Sequence, residues 1–333
     1  MKYQSIQFLR AVAALMVVVQ HTHIAFSPQE KKELWLWPGF SDFGYLGVSL
    51  FFVISGFIIA KVFEGPGFSL GAYFWRRFTR IYPLYWLVMG VGIYYYFSRN
   101  WFKYEIDSLG LTGMVKSILI FPLKEHPFWA PGWSLEHEVI FYVVAAIINP
   151  IFGLRWLAAV MFFLAALGLT FNVGWDYHIF SIVQASFGAG VIAYLLRNRE
   201  WSVALPISFG ALFLCYGYYY QVFSLSSSFV EVVFAVGAGA LIVALVDLER
   251  KGWNVPKSMV IIGNASFSLY LWHWLVIPLA SRWKDLGGAP EMWRWIIVIV
   301  SIAAAIGSYY FIEKPLVSFS HGKRFIRKEA VIG

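Results

Sequence analysis

Ten apolar segments, each near the length of a membrane span, constrain this chain more than any other feature. They lie around 6–26, 44–63, 82–98, 134–152, 154–172, 178–196, 203–222, 229–247, 259–281 and 292–312. A hydrocarbon core about 30 Å thick takes about 20 residues of helix to cross, and a helix satisfies all its backbone polar groups internally. The chain is therefore expected to be all-α, a polytopic membrane bundle of about ten transmembrane helices. Its composition agrees: 60% of the 333 residues are hydrophobic and 13% charged, outside the usage of soluble domains. With the N-terminus inside, sixteen of the 26 Lys and Arg fall on the cytoplasmic side and nine outside. That bias predicts both termini in the cytoplasm. It also accounts for the net charge of +8 without nucleic acid as a partner. The first segment lacks a small-residue cleavage site and reads as a retained span. The single cysteine, Cys215, excludes an internal disulfide. One integral domain over 1–315 is expected, followed by a basic cytoplasmic tail over 316–333.

The first segment is interrupted by Arg10 and His21, and the run 11–19 between them has no polar side chain. An arginine at membrane depth costs about 2.5–3.5 kcal/mol on insertion scales, which makes it a functional candidate. Eleven residues at about 100° each come to three turns plus about 20°, so the two side chains share a helix face about 16 Å apart. A long, thin, anionic ligand along that face would touch both. His23, about 220° round from Arg10, points elsewhere.

Further along, Arg76, Arg77 and Arg80 follow the second segment. On a helix they fall on one side. Arginine forks suit phosphate, and they equally suit lipid headgroups on the positive-inside rule. Trp133-Ser134-Leu135-Glu136-His137-Glu138 opens the fourth segment. Glu138 sits at a depth close to that of His21, where a carboxylate would fix the tautomer of an imidazole and raise its basicity. The competing view makes Glu136 and Glu138 interfacial residues at a helix start. His273 in the ninth segment is either a packing residue or a catalyst. His126, His137, His178 and His321 lie near or beyond segment ends and carry little signal. Gly47, Gly56, Gly188, Gly190, Gly237 and Gly239 allow close helix approach, and Glu313-Lys314-Pro315 is explained as a structural stop. Phe128 and Trp129, with Trp101, Phe102, Pro122, Pro127 and Pro131, predict an outer loop over 99–133 folded onto the bundle. No serine stands beside an evident base.

Taken in order, these pieces resemble the membrane acyltransferase-3 family. They are Arg10–x10–His21, Phe51-Phe52-Val53-Ile54-Ser55-Gly56-Phe57, Arg76-Arg77-x-x-Arg80-x-x-Pro83, Trp133-Ser134-Leu135-x-x-Glu138-x-x-Phe141-Tyr142, Ser268-Leu269-Tyr270-Leu271-Trp272-His273 and Glu313-Lys314-Pro315. The resemblance implies a membrane O-acyltransferase drawing on cytoplasmic acyl-coenzyme A, usually acetyl-CoA. The acceptor would be a hydroxyl of an envelope glycan or lipid-linked saccharide, and the setting a bacterial inner membrane. The chain is similar to stand-alone members without a fused extracytoplasmic hydrolase-like domain. By resemblance, Arg10, Arg76, Arg77 and Arg80 would bind acyl-CoA. His21 would act as general base or transient acyl carrier, with Glu138 orienting it. Trp133, Ser134, Tyr142, Ser55, Tyr270 and His273 are candidates for acceptor contact or support. Direct transfer and an acyl-enzyme relay both stay open. No metal site is expected, since no His/Asp/Glu cluster recurs. A transporter or flippase of a lipid-linked or acylated glycan is the alternative, since buried Arg, His and Glu also serve proton-coupled carriers. Oligomeric state leaves no mark on the sequence.

Overall fold

The computed structural model describes residues 3–34, 43–97, 101–123, 126–170, 178–200, 203–280, 282 and 287–319. Among them every regular element is helical and there is no strand. In chain order the helices are α1 (Gln4–His21), α2 (Pro28–Glu33), α3 (Leu46–Phe63), α4 (Leu70–Phe97), α5 (Trp101–Leu119), α6 (Gly132–Phe152) and α7 (Leu154–Gly168). They continue as α8 (Gln184–Leu196), α9 (Ala204–Tyr219), α10 (Ser227–Arg250), α11 (Lys257–Asn264), α12 (Ser266–Ala280) and α13 (Pro290–Ser308).

Among the described residues, five helical stretches are long and apolar enough to cross a membrane: Gln4–Ala25, Phe43–Phe63, Gly132–Phe152, Ser227–Arg250 and Pro290–Phe319. A sixth arises if Lys257–Asn264 and Ser266–Leu279, bent by 70°, count as one broken span. The expected count of about ten spans is not confirmed by these criteria. Helices α7, α8 and α9 have 13 to 16 residues, or about 20–24 Å at 1.5 Å per residue, short of a hydrocarbon core. The third expected segment lies inside α4, a continuous 28-residue helix that begins at Leu70 and carries the arginines within it. Arg76, Arg77 and Arg80 therefore lie on a helix.

Helix α1 is the spine of the bundle. It packs against α3, α10, α11 and α12. Its N-terminus is capped from α10: Glu249 accepts from the backbone N–H of Gln4 at 2.8 Å and of Ser5 at 2.9 Å, and from Ser5 Oγ at 2.5 Å. A carboxylate at a helix N-terminus satisfies orphan donors and complements the dipole. The α3–α8 crossing is closer than any side chain allows. A Cβ on Gly190 would lie 1.9 Å from the Val53 carbonyl oxygen, and one on Gly56 would lie 2.2 Å from that of Phe187.

The 99–133 segment contains α5, kinked at Gly110 where φ is 66°. Its end is pinned to α4, with Tyr85 Oη donating to the Ser117 carbonyl at 3.0 Å and Trp86 Nε1 to that of Ile118 at 2.8 Å. Phe128 and Trp129 are buried, as their aromatic and proline setting predicted. The side chains of Trp101 and Phe102 lie outside the described residues, as do His321 and residues 320–333 of the expected basic tail.

Candidate active site

Three cavities follow one another along the face of α1 that carries Arg10 and His21. The first, about 420 Å³, lies at the N-terminal end of α1 and is lined by Arg10, Lys61, Arg80, Glu313 and Lys314 among others. The second is small, about 60 Å³, and is lined by Arg10, Arg80, Ser55, Glu138, Phe52 and Tyr270. The third, about 620 Å³, takes in His21, Trp133, His137 and Ser49. The first and second share Arg10, Ile58 and Arg80, and the second and third share Val48, Phe52 and Tyr270. Together they make one path from the cationic end of α1 to its imidazole end. The shared helix face read from the spacing is the wall of that path.

At the imidazole end, His21 Nδ1 lies 3.1 Å from His273 Nε2, and the rings stack at 5.1 Å. Trp274 stands edge-on to His21 at 5.3 Å. The tautomers follow from the partners. His273 Nδ1 lies 3.2 Å from the Leu269 carbonyl, which only accepts, so His273 Nδ1 carries hydrogen. Its Nε2 then accepts, and His21 Nδ1 donates. His21 Nε2 is left with its lone pair, the form a general base needs.

The expected Glu138–His21 contact is absent. Glu138 accepts from Ser55 Oγ at 2.5 Å and from Tyr142 Oη, and it opens into the middle cavity. The reason lies in helix neighbours: α12 packs on α1 and brings His273, whereas α6 packs on α3 and brings Glu138 to Ser55. The expectation that no serine stands beside a base is corrected by the same contact. Of the arginine cluster, Arg80 reaches the first and second cavities. The Arg77 guanidinium lies over the Tyr142 ring at 5.5 Å, a cation–π distance, and the Tyr142 carbonyl accepts from Tyr73 Oη at 3.1 Å. Arg76 is exposed and lines none of the three cavities. It stands at the far edge of the helix arc, with Arg80 between it and Arg77. Ser134 Oγ and Tyr270 Oη are 2.7 Å apart and both lie within reach of the Pro131 carbonyl, at 3.3 Å and 3.2 Å, so one hydroxyl donates to the carbonyl and the other to its fellow hydroxyl. Trp133 is half-buried at the third cavity. His23 is exposed and donates to the Gln20 carbonyl.

Several residues at the site went unrecognised in the sequence. Glu313, assigned to a structural stop, is buried and accepts from Ser268 Oγ at 2.7 Å. It sits in a π-helical turn, Tyr309–Glu313, a feature that recurs at functional sites. With Lys314 it lines the first cavity, where Lys61 joins them. Glu136 is not interfacial but fully buried. It accepts from His178 Nε2 at 2.8 Å and from the Leu123 N–H at 3.3 Å, joining three segments beside the third cavity. His137 packs on His178 at 4.7 Å. The dense aromatic and histidine content around 133–142 is the signal that pointed there. Among the described residues no group of three His, Cys, Asp or Glu side chains could hold a metal ion.

An apolar helix bundle threaded by a polar path, with cations at one end and imidazoles at the other, defines a membrane enzyme or carrier. Comparison with known proteins decides between them. The acyltransferase-3 profile, described as an acyltransferase domain, matches residues 3–313. The chain belongs to that family and is a membrane acyltransferase. It is 29% identical over 301 residues to the exopolysaccharide production protein ExoZ of Rhizobium meliloti (strain 1021), covering 84% of this chain and 92% of that one. It is 23% identical to the peptidoglycan O-acetyltransferase OatA of Listeria monocytogenes, covering 94% of this chain and 55% of the relative. It is also 24% identical to the putative membrane-bound transacylase BcsY of Komagataeibacter xylinus, covering 93% and 82%. No solved structure matches the chain at a significant level.

Proposed function

We propose that this acyltransferase takes its acyl group from acyl-coenzyme A, acetyl-CoA in the first instance, and esterifies a hydroxyl of an envelope glycan or lipid-linked saccharide. The observation that carries this reading is the polar path along α1. Arg10, Lys61, Arg80 and Lys314 ring its first cavity, a set suited to the phosphates of a nucleotide thioester. The pantetheine arm would run past Arg10 toward the middle cavity. There the Glu138 carboxylate, fixed by Ser55 and Tyr142, would accept from its amide N–H groups. The acceptor would enter the third cavity, beside His21 and Trp133.

In the chemical step the acceptor oxygen attacks the thioester carbonyl while His21 Nε2 takes its proton. The C–S bond then breaks, coenzyme A leaves as thiolate, and the proton passes from His21 to sulfur or to solvent. His273 would hold His21 in the reactive tautomer, the part first given to Glu138. The names of ExoZ and OatA, which refer to exopolysaccharide and to peptidoglycan O-acetylation, support a glycan acceptor. With the N-terminus in the cytoplasm of a bacterial cell, the first cavity faces the compartment that holds acyl-CoA.

One contact favours a second route. Ser55 Oγ donates to Glu138 at the middle cavity, so Ser55 could attack the thioester, pass its proton to Glu138 and carry the acyl group to the acceptor. The purified protein, given radiolabelled acetyl-CoA and envelope glycan in detergent, tests both. Label in alkali-labile ester on the glycan, without a membrane gradient, is the expected outcome; no transfer contradicts it. Label retained on Ser55 when the acceptor is withheld assigns the relay.

A further inference from the structure

The small middle cavity shares lining residues with both large ones, and its walls are closely packed. Val48 and Phe52, four residues apart on one face of α3, are 6% and 4% exposed. The Phe52 ring packs on Phe187 at 4.8 Å, and Phe187 stacks on Phe141 at 4.3 Å. Opposite them the Tyr270 hydroxyl is fixed between Ser134 and the Pro131 carbonyl, with the ring edge-on to Phe51 at 6.2 Å. These three residues are the ones the middle and third cavities share. The waist measures about 60 Å³ against about 420 and 620 Å³ on its two sides. A protein cavity that admits benzene measures about 150 Å³, so the waist has room for only a few heavy atoms.

We propose that Val48, Phe52 and Tyr270 set the length of the acyl group, admitting acetyl and rejecting longer straight chains. This rests on the acyl-CoA reading above. A thioester carbonyl that meets an alcohol beside His21 sits at the waist, and the carbons beyond it share that space. One methyl group fits. Each added methylene drives into the Phe52–Phe187–Phe141 stack, which is already close-packed. Phe52 is the main gauge: its ring is larger than the Val48 side chain and, unlike Tyr270, is held by no hydrogen bond.

The test uses the full-length protein in lipid nanodiscs, with coenzyme A, acetyl-CoA and hexanoyl-CoA as calorimetric probes. Wild-type protein should bind hexanoyl-CoA at least about 10-fold more weakly than acetyl-CoA, the scale of a pocket one methylene too small. Phe52→Ala should shrink that ratio by about 10-fold, and Val48→Ala should shrink it less. Melting temperatures establish which variants are folded, and Val48→Ala decides alone if Phe52→Ala is not. Equal wild-type affinities for the two thioesters, or an unchanged ratio in every folded variant, overturns the proposal while leaving the acyl-CoA reading intact. A wild-type protein that binds none of the three probes overturns both.

Discussion

His21 and His273 touch, yet their chemical positions differ, and replacement separates them. His21→Ala removes the proposed base and should lower kcat by about 10²–10⁴, the range of general-base catalysis. His273→Ala leaves the base without its tautomer partner. It should lower kcat by a smaller factor, with little change in the KM for acetyl-CoA; steady-state kinetics in detergent measures both, and full activity of His21→Ala removes it as the base. At the other end of the path, Arg80 lines two cavities while Arg76 is exposed. A hydrogen bond to a charged group contributes about 1.5–3 kcal/mol, or roughly 10–100-fold in affinity. Arg80→Ala should raise the KM for acetyl-CoA by about that factor, and Arg76→Ala by less than about twofold; equal effects would return the cluster to lipid headgroups. The shared face of Arg10 and His21 was legible because helix periodicity is a local property of sequence. The partner of His21 was not, because the choice between Glu138 and His273 depends on which helix packs against α1.

At the scale of the element, the close crossing of α3 and α8 depends on two glycines. A methyl group at Gly190 would meet a carbonyl oxygen at 1.9 Å, whereas one at Gly71 meets nothing within 4 Å. Gly190→Ala is expected to destabilise the bundle by about 1–3 kcal/mol or more through overpacking. Gly71→Ala should be neutral or slightly stabilising by helix propensity. Thermal unfolding of the purified variants checks this, and an unchanged melting temperature for Gly190→Ala would contradict the crossing. The small-residue pattern made close packing legible, though not which helices meet. Glu313 and Glu136 were misjudged for related reasons. A π turn cannot be read from the composition of Tyr309–Glu313, and the partner of Glu136, His178, is 42 positions away with no local pattern linking them.

At the scale of the whole molecule, all-helical architecture and membrane residence follow from the apolar segments. Their number is not settled by length alone, because short helices such as α8 (13 residues) match a span in hydropathy while falling short in length. What unites the molecule is the path along α1, which joins a cationic cavity to an imidazole pair through a narrow waist, the route proposed for the acyl group. The most direct test is made on sealed inverted membrane vesicles holding glycan acceptor inside. Radiolabelled acetyl-CoA is supplied only to the exposed cytoplasmic face, with wild-type protein or His21→Ala in the membrane. Alkali-labile label on the enclosed glycan with wild-type protein, and its loss with His21→Ala, is the predicted result; equal labelling by the two proteins, or none by either, would contradict it.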